Sequence, residues 1–179
     1  STAGFSTKNA SIGHFDSVAI EMILMITMFI SAIHYGLLFS TLTGKRNNIF
    51  RSEVVKTYFI ALVASSVMIA VSLRIADVYP TLLSSLRHSL FQVVSISTTA
   101  GFATADTNTW TPLAIMLLVF LSMVGACAGS TTGGLKFDRL ILAAKSVKAR
   151  IVQQQHPNAI VRIKIDGVLQ RTDTVGAVM

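Results

Sequence analysis

Ser97-Thr98-Thr99-Ala100-Gly101-Phe102-Ala103-Thr104 is a run of small, uncharged residues between two unlike neighbours. Thr81 to Ser97 reads as a short helix, and Thr107 to Leu135 carries no charged residue. At about 1.5 Å per residue, the short helix reaches only part-way through a hydrocarbon core of about 30 Å. Its polar residues Ser84, Ser85, Arg87 and His88 come first; Leu90, Phe91, Val93, Val94 and Ile96 follow. A helix dipping into a bilayer is wet at its start and buried at its end, which predicts a half-helix followed by a re-entrant loop. A short helix lying in the interface is the competing reading. On the first, the negative end of the helix dipole points at the loop, a favourable field for a cation.

Composition agrees with a membrane setting. Of 179 residues, 52% are hydrophobic and 13% charged, against about 25% charged in soluble domains. The net charge of +7 is gathered at Lys45, Arg46, Arg51 and Lys56 and again from Lys136 to Arg171. Both groups follow apolar stretches, as cytoplasmic loops do under the positive-inside rule, so a nucleic-acid partner is not expected. One cysteine, Cys127, excludes an internal disulfide and any multi-cysteine metal cluster. No serine–histidine–aspartate, zinc or Walker spacing is present, so the chain does not read as an enzyme. Without an initial methionine or a closing element, it reads as an internal part of a longer membrane protein.

Taken in order, Lys8 to Phe15 is polar and predicts an outer surface. Ser17 to Gly44 has Glu21 as its only formal charge and is long enough for one span, ended by Lys45 and Arg46. Within it, Glu21 is expected in the outer vestibule and His34 at a helix contact or near the cytoplasm. Val54 to Ala76 predicts a second span, with Ala and Ser suited to close helix packing. Asp106 is either a source of local negative charge or a loop cap, and Trp110 is placed as an interfacial anchor. Lys136 to Gln155 predicts a basic cytoplasmic helix with Leu140, Ile141, Ala144 and Val147 on one side. Ile160 to Gln170, with Asp166-Gly167 at its turn, predicts a small β-hairpin.

The Thr-Ala-Gly-Phe string at 99–102 also stands at 2–5. Between the copies lie one outgoing span, a loop, an incoming span and a half-helix, one full period of a repeating unit. A dehydrated alkali cation needs oxygen ligands to replace its water, and consecutive backbone carbonyls supply them. Gly4 and Gly101 permit the required backbone angles. Thr2 and Thr99 add hydroxyl oxygens, and Phe5 and Phe102 are expected to wedge the loops against neighbouring helices. One loop gives a quarter of a ring, so four must converge.

The paired loops, followed by Gly125-Ala-Cys-Ala-Gly129-Ser-Thr-Thr-Gly133-Gly134-Leu-Lys136, resemble the Trk/Ktr/HKT superfamily of potassium-uptake transporters over essentially the whole chain. His156-Pro157-Asn158-Ala159 resembles the bacterial Trk pore subunits in particular. The resemblance implies an all-α polytopic membrane protein of four pseudo-symmetric repeats in a bacterial inner membrane, with about one and a half repeats present. Residues 1–53 would hold the second filter loop, its outgoing span and a cytoplasmic loop; residues 54–155 the third repeat; residues 156–179 a linker towards the fourth. It implies a K⁺ filter of Thr2, Ala3, Gly4, Phe5, Thr99, Ala100, Gly101 and Phe102, with no other cofactor. It implies, too, a homodimer and a cytoplasmic nucleotide-binding regulatory ring. Potassium flux, passive or ion-coupled, is the implied activity; a non-conducting assembly protein is the rival, ahead of a membrane enzyme using the Gly-Ser-Thr-Thr loop.

Residues 125–134 carry two readings of their own. Gly125, Gly129 and Gly133, four apart, describe a packing face on a continuous helix. The same composition also suits a break in the helix at membrane depth. The resemblance implies the break: a gate under the filter formed by Gly129, Ser130, Thr131, Thr132, Gly133 and Gly134.

Overall fold

A computed structural model of the protein describes residues 4–8, 10–44, 49, 52–155, 164–165 and 168–169. Six α-helices hold almost all of its regular structure: α1 (Val18–Ala32), α2 (Tyr35–Leu42), α3 (Glu53–Ile75), α4 (Leu82–Ser97), α5 (Pro112–Met123) and α6 (Phe137–Gln155). Among the described residues, α3 alone is long and apolar enough to cross a membrane unaided. Ser52 caps it by accepting the Val55 amide at 3.4 Å. One seam of α3, through Val55, Tyr58, Leu62, Ser66, Ile69 and Leu73, is buried. The opposite side shows Phe59, Ile60, Val67 and Met68, an apolar surface on both sides as a lipid-embedded helix requires.

α4 packs chiefly along that seam. Thr81 caps it through the Ser84 amide. Ser89 Oγ donates to the Ser66 carbonyl at 3.1 Å, and Tyr58 Oη donates to Ser97 Oγ at 3.2 Å. The half-helix is present as expected, but its start is not wet throughout: Ser85 and Ser89 are fully buried against α3.

Three other expectations are corrected. Ser17 to Gly44 is not one straight span, because α1 and α2 meet at 101°. The break falls at Ile33-His34, where His34 Nδ1 turns back to accept the Gly36 amide at 2.8 Å and caps α2. Gly36 leaves room for that ring: a methyl would stand 2.7 Å from His34 Cε1 and would have to displace it. Trp110 is buried rather than interfacial, with its Nε1 donating to Tyr79 Oη at 3.3 Å. On α6 the inward side is Leu142, Ser146 and Ala149, whereas Leu140 and Val147 are exposed.

Two short strand pairs complete the fold. β1 (Val124–Gly125) pairs in parallel with β2 (Leu135–Lys136), closing the segment between α5 and α6 into a loop. β3 (Lys164–Ile165) and β4 (Val168–Leu169) pair antiparallel as the hairpin expectation required; its Asp166-Gly167 turn lies outside the described residues.

Glu21 lies in the interior rather than in a vestibule. Its carboxylate is 2% exposed and takes Arg87 Nε at 2.7 Å and Nη2 at 2.8 Å, joining α1 to α4. Arg87 also reaches Asp16 at 3.4 Å. Removing one partner of a buried pair costs about 3–5 kcal/mol. Since Arg87 keeps 27% of its side-chain exposure, Arg87→Met is expected at the low end, about 3 kcal/mol. In detergent-solubilised protein expressed from the full-length gene, the thermal unfolding midpoint falls, and adding Glu21→Gln restores most of the loss.

Candidate functional site

The loop after α4 begins by folding back on its own helix. Thr99 and Gly101 take left-handed backbone angles, φ +55° and +76°. A threonine there costs about 1–2 kcal/mol, offset by the hydrogen bonds that the turn makes. The Thr99 amide donates to the Ile96 carbonyl at 3.0 Å. The Ser95 carbonyl accepts the amides of Ala100 (2.8 Å) and Gly101 (3.3 Å).

Beyond Gly101 the carbonyls of Phe102, Ala103 and Ala105 are tied. Ser95 Oγ donates to the Phe102 carbonyl at 2.7 Å, and Gln92 Nε2 to that of Ala105 at 3.0 Å. The Ala103 carbonyl takes the Ile12 and Gly13 amides at 3.0 and 3.1 Å, while the Ala103 amide donates to Ser11 Oγ. Thr98, Thr99, Ala100 and Gly101 differ: none of their carbonyl oxygens accepts a hydrogen bond from a described residue. The loop thus opens with four bare carbonyls in a row, at the negative end of α4, and the bonded ones begin at Phe102.

The copy near the chain start meets this loop directly. Gly4 has φ +62°, and a methyl on it would stand 2.5 Å from the Gly101 carbonyl oxygen. Backbone therefore touches backbone between the two loops. Thr2 and Ala3 lie outside the described residues. Phe102 does wedge its loop, against Met28, Phe91 and Val94. Phe5 is 87% exposed among the described residues. Asp106 is a cap, its Oδ1 accepting the Asn108 amide at 3.0 Å. It also lines an open cavity of about 620 Å³ with Gly13, Gln92, Gly101, Phe102 and Thr104.

Residues 124–136 form a folded loop, so the continuous packing face is overturned. Gly125 lies so close to the Gly133 carbonyl that no side chain fits. Thr132 Oγ1 accepts the Ala126 amide at 3.2 Å and pairs with Ser130 Oγ at 2.8 Å; Ser130 Oγ donates to the Cys127 carbonyl at 2.6 Å. Lys136 Nζ donates to the Thr132 carbonyl, and Asp138 accepts the Ala128 amide. Among the described residues this loop is joined to the loop after α4 by one hydrogen bond, the Gly133 amide to Thr99 Oγ1 at 3.2 Å.

The α1–α2 break is the seat of this second loop. The Tyr35 amide donates to the Gly129 carbonyl (3.3 Å), Thr131 Oγ1 donates to the Ser31 carbonyl (3.4 Å), and a methyl at Gly129 would meet the His34 ring at 2.8 Å. His34, Ser40, Ser52, Cys127 and Asp138 line a second cavity of about 270 Å³. Sequence reasoning missed Ser31, Tyr35, Gln92 and Ser95 as parts of the site. The signal for the last two was present: Ser85, Ser89, Gln92 and Ser95 recur at helical spacing among apolar residues. Among the described residues no group of three metal-ligating side chains assembles.

A half-helix ending in bare carbonyls, set among apolar helices and beside a broken helix, defines a polytopic all-α membrane protein. Residues 1–173 match the family model TrkH, described as a cation transport protein, and the chain belongs to that family. It is 40% identical over 174 residues to the Trk system potassium uptake protein TrkH of Halomonas elongata, covering 93% of this chain and 36% of the relative. With the protein of the same name from Escherichia coli strain K12, the identity is 39% over 163 residues, 90% of this chain and 34% of the relative. The crystal structure of the potassium transporter TrkH from Vibrio parahaemolyticus superposes with a TM-score of 0.90 at 33% identity, over 99% of this chain and 38% of that one. The chain spans about a third of the length of these relatives.

The tightness at Gly125 makes the second loop testable by chemistry. Cys127 is buried, so N-ethylmaleimide is expected to label it slowly in intact protein. Gly125→Ala forces β1 from β2 and raises the labelling rate at the Cys127 peptide by at least about tenfold, the equivalent of about 1.4 kcal/mol of lost local stability. Mass spectrometry of that peptide reads the outcome.

Proposed function

We propose that the protein is the pore-forming part of a potassium-uptake transporter of the bacterial inner membrane, with K⁺ as the transported ion. The observation that carries this reading is the run of four bare carbonyls from Thr98 to Gly101. Carbonyl oxygens held in place replace the hydration shell of an alkali cation. Thr99, Ala100 and Gly101 give one quarter of the ring and Thr2, Ala3 and Gly4 another, with Phe102 and Phe5 flanking them. The meeting of Gly4 with Gly101 supports adjacent quarters of one aperture. The names of the relatives favour potassium, and the reaction is transport rather than catalysis.

Gly129 to Gly134 is the gate in this reading. Irregular backbone at membrane depth persists only where protein or water covers it, and here the loop's own hydroxyls and Lys136 cover it. Its bond to Thr99 gives the gate a direct contact with the filter. Residues 1–53 close the second repeat of four, 54–155 form the third, and 156–179 lead to the fourth. The complete assembly is a homodimer of pore subunits under a cytoplasmic nucleotide-binding ring.

Potassium uptake by cells that lack other high-affinity systems tests this, with the full-length gene expressed. Gly101→Asp is expected to abolish growth at low K⁺ while membrane abundance stays normal; unaltered uptake would sink the filter. Deleting Gly129 to Gly134 is expected to raise the maximal uptake rate several-fold, roughly what removing a contact worth 1 kcal/mol permits. A rate that is unchanged or lost counts against the gate.

A further inference from the structure

The hydroxyl and carbonyl of one buried residue, Ser95, hold both halves of the filter loop. Its carbonyl takes the Ala100 and Gly101 amides, which aims the carbonyls sharing those peptide planes, of Thr99 and Ala100, the opposite way from that acceptor. Its Oγ, one residue further along, donates to the Phe102 carbonyl and turns that group back towards the helix. The switch between bare and bonded carbonyls therefore falls between Gly101 and Phe102, at the residue Ser95 grips from both sides. Gln92, one turn earlier, repeats the device at Ala105. Both side chains are buried, so no solvent competes for these bonds. Neither is needed to keep α4 helical, since serine and glutamine are not favoured there over alanine.

We infer that Ser95, assisted by Gln92, is a specificity-determining positioning residue: it fixes how many carbonyls of this loop face the ion, and so sets the preference for K⁺ over Na⁺. This rests on the filter reading above. Neither residue ligates the ion; both act through the backbone of residues 100–105. Without the Ser95 hydroxyl, the Phe102 carbonyl has no donor and is left to compete for the ion. A fifth oxygen in this quarter tightens the ring around smaller cations, because the number and field of the ligands decide which dehydrated ion is favoured.

The test is a pair of uptake measurements, K⁺ alone and K⁺ against Na⁺, on Ser95→Ala expressed from the full-length gene. Ser84→Ala is the control; its hydroxyl lies on the same helix but touches only Thr81. Ser95→Ala is expected to lose about tenfold in K⁺-over-Na⁺ preference, the scale of one buried carbonyl deprived of its donor, with Ser84→Ala unchanged. If Ser95→Ala reaches the membrane normally and slows both ions equally, the residue is merely structural and the inference is overturned. If it fails to accumulate, Gln92→Met decides by the same ratio: a several-fold loss supports the inference and an unchanged ratio overturns it. Gly101→Asp separates the two readings. Where it abolishes uptake while Ser95→Ala keeps its preference, the filter stands and the role of Ser95 falls. Where Gly101→Asp is also silent, both fall.

Discussion

A backbone carbonyl without a donor costs about 1–3 kcal/mol where it is buried, and of the four that follow α4 those of Thr98 and Ala100 belong to buried residues. Everything around them keeps that arrangement from relaxing. α4 cannot extend to cover them, because Thr99 and Gly101 take left-handed angles and the Ser95 carbonyl is already committed to the loop. The loop cannot shift along α4, because Phe102 is packed among Met28, Phe91 and Val94 and Ala103 is held by the 3-10 turn over Ser11–Phe15. The helix itself is fixed by Ser89 on the Ser66 carbonyl and by Arg87 on Glu21.

The second constraint is a fit between two broken helices. A break exposes carbonyls at the end of one segment and amides at the start of the next. At α1–α2 these are the Ser31 carbonyl and the Tyr35 amide, and both find partners in the loop between α5 and α6. Each irregularity therefore makes the other tolerable, which a sequence read one helix at a time does not reveal. His34 serves both: its ring caps α2 and lies where Gly129 leaves room.

Much of the architecture was legible because it follows from length and charge. An uncharged run from Thr57 to Leu73 can be little else than a buried helix, and the helix found there differs from expectation by one residue at either end. The half-helix was legible from its length, and the loop from its repeat. What escaped notice shares one cause: polar residues are ambiguous without knowing which side of a helix they face. Glu21 reads as a vestibule charge until Arg87, 66 residues away, is found against it. Ser85, Ser89, Gln92 and Ser95 read as ordinary half-helix polarity until α3 and the loop are packed on them. The bend at His34 depends on a side chain curling back two residues, a choice that hydrophobic pattern does not encode. Glycines four apart at 125, 129 and 133 were equally compatible with a straight helix and a folded loop, and contact between Gly125 and the Gly133 carbonyl is visible only in three dimensions.

The contact of Gly4 with the Gly101 carbonyl has a consequence for how the spacing of the two loops can be altered. Where two loops meet through side chains, their separation can be adjusted in steps of a methyl group. Here the main chains themselves touch, so their separation is a sum of van der Waals radii that no neighbouring substitution makes smaller. Replacing Gly4 does not trim the gap by degrees; it pushes whole loops apart. The separation of the two loops is accordingly a quantity with coarse settings, while finer adjustment is left to the angle at which each carbonyl is held.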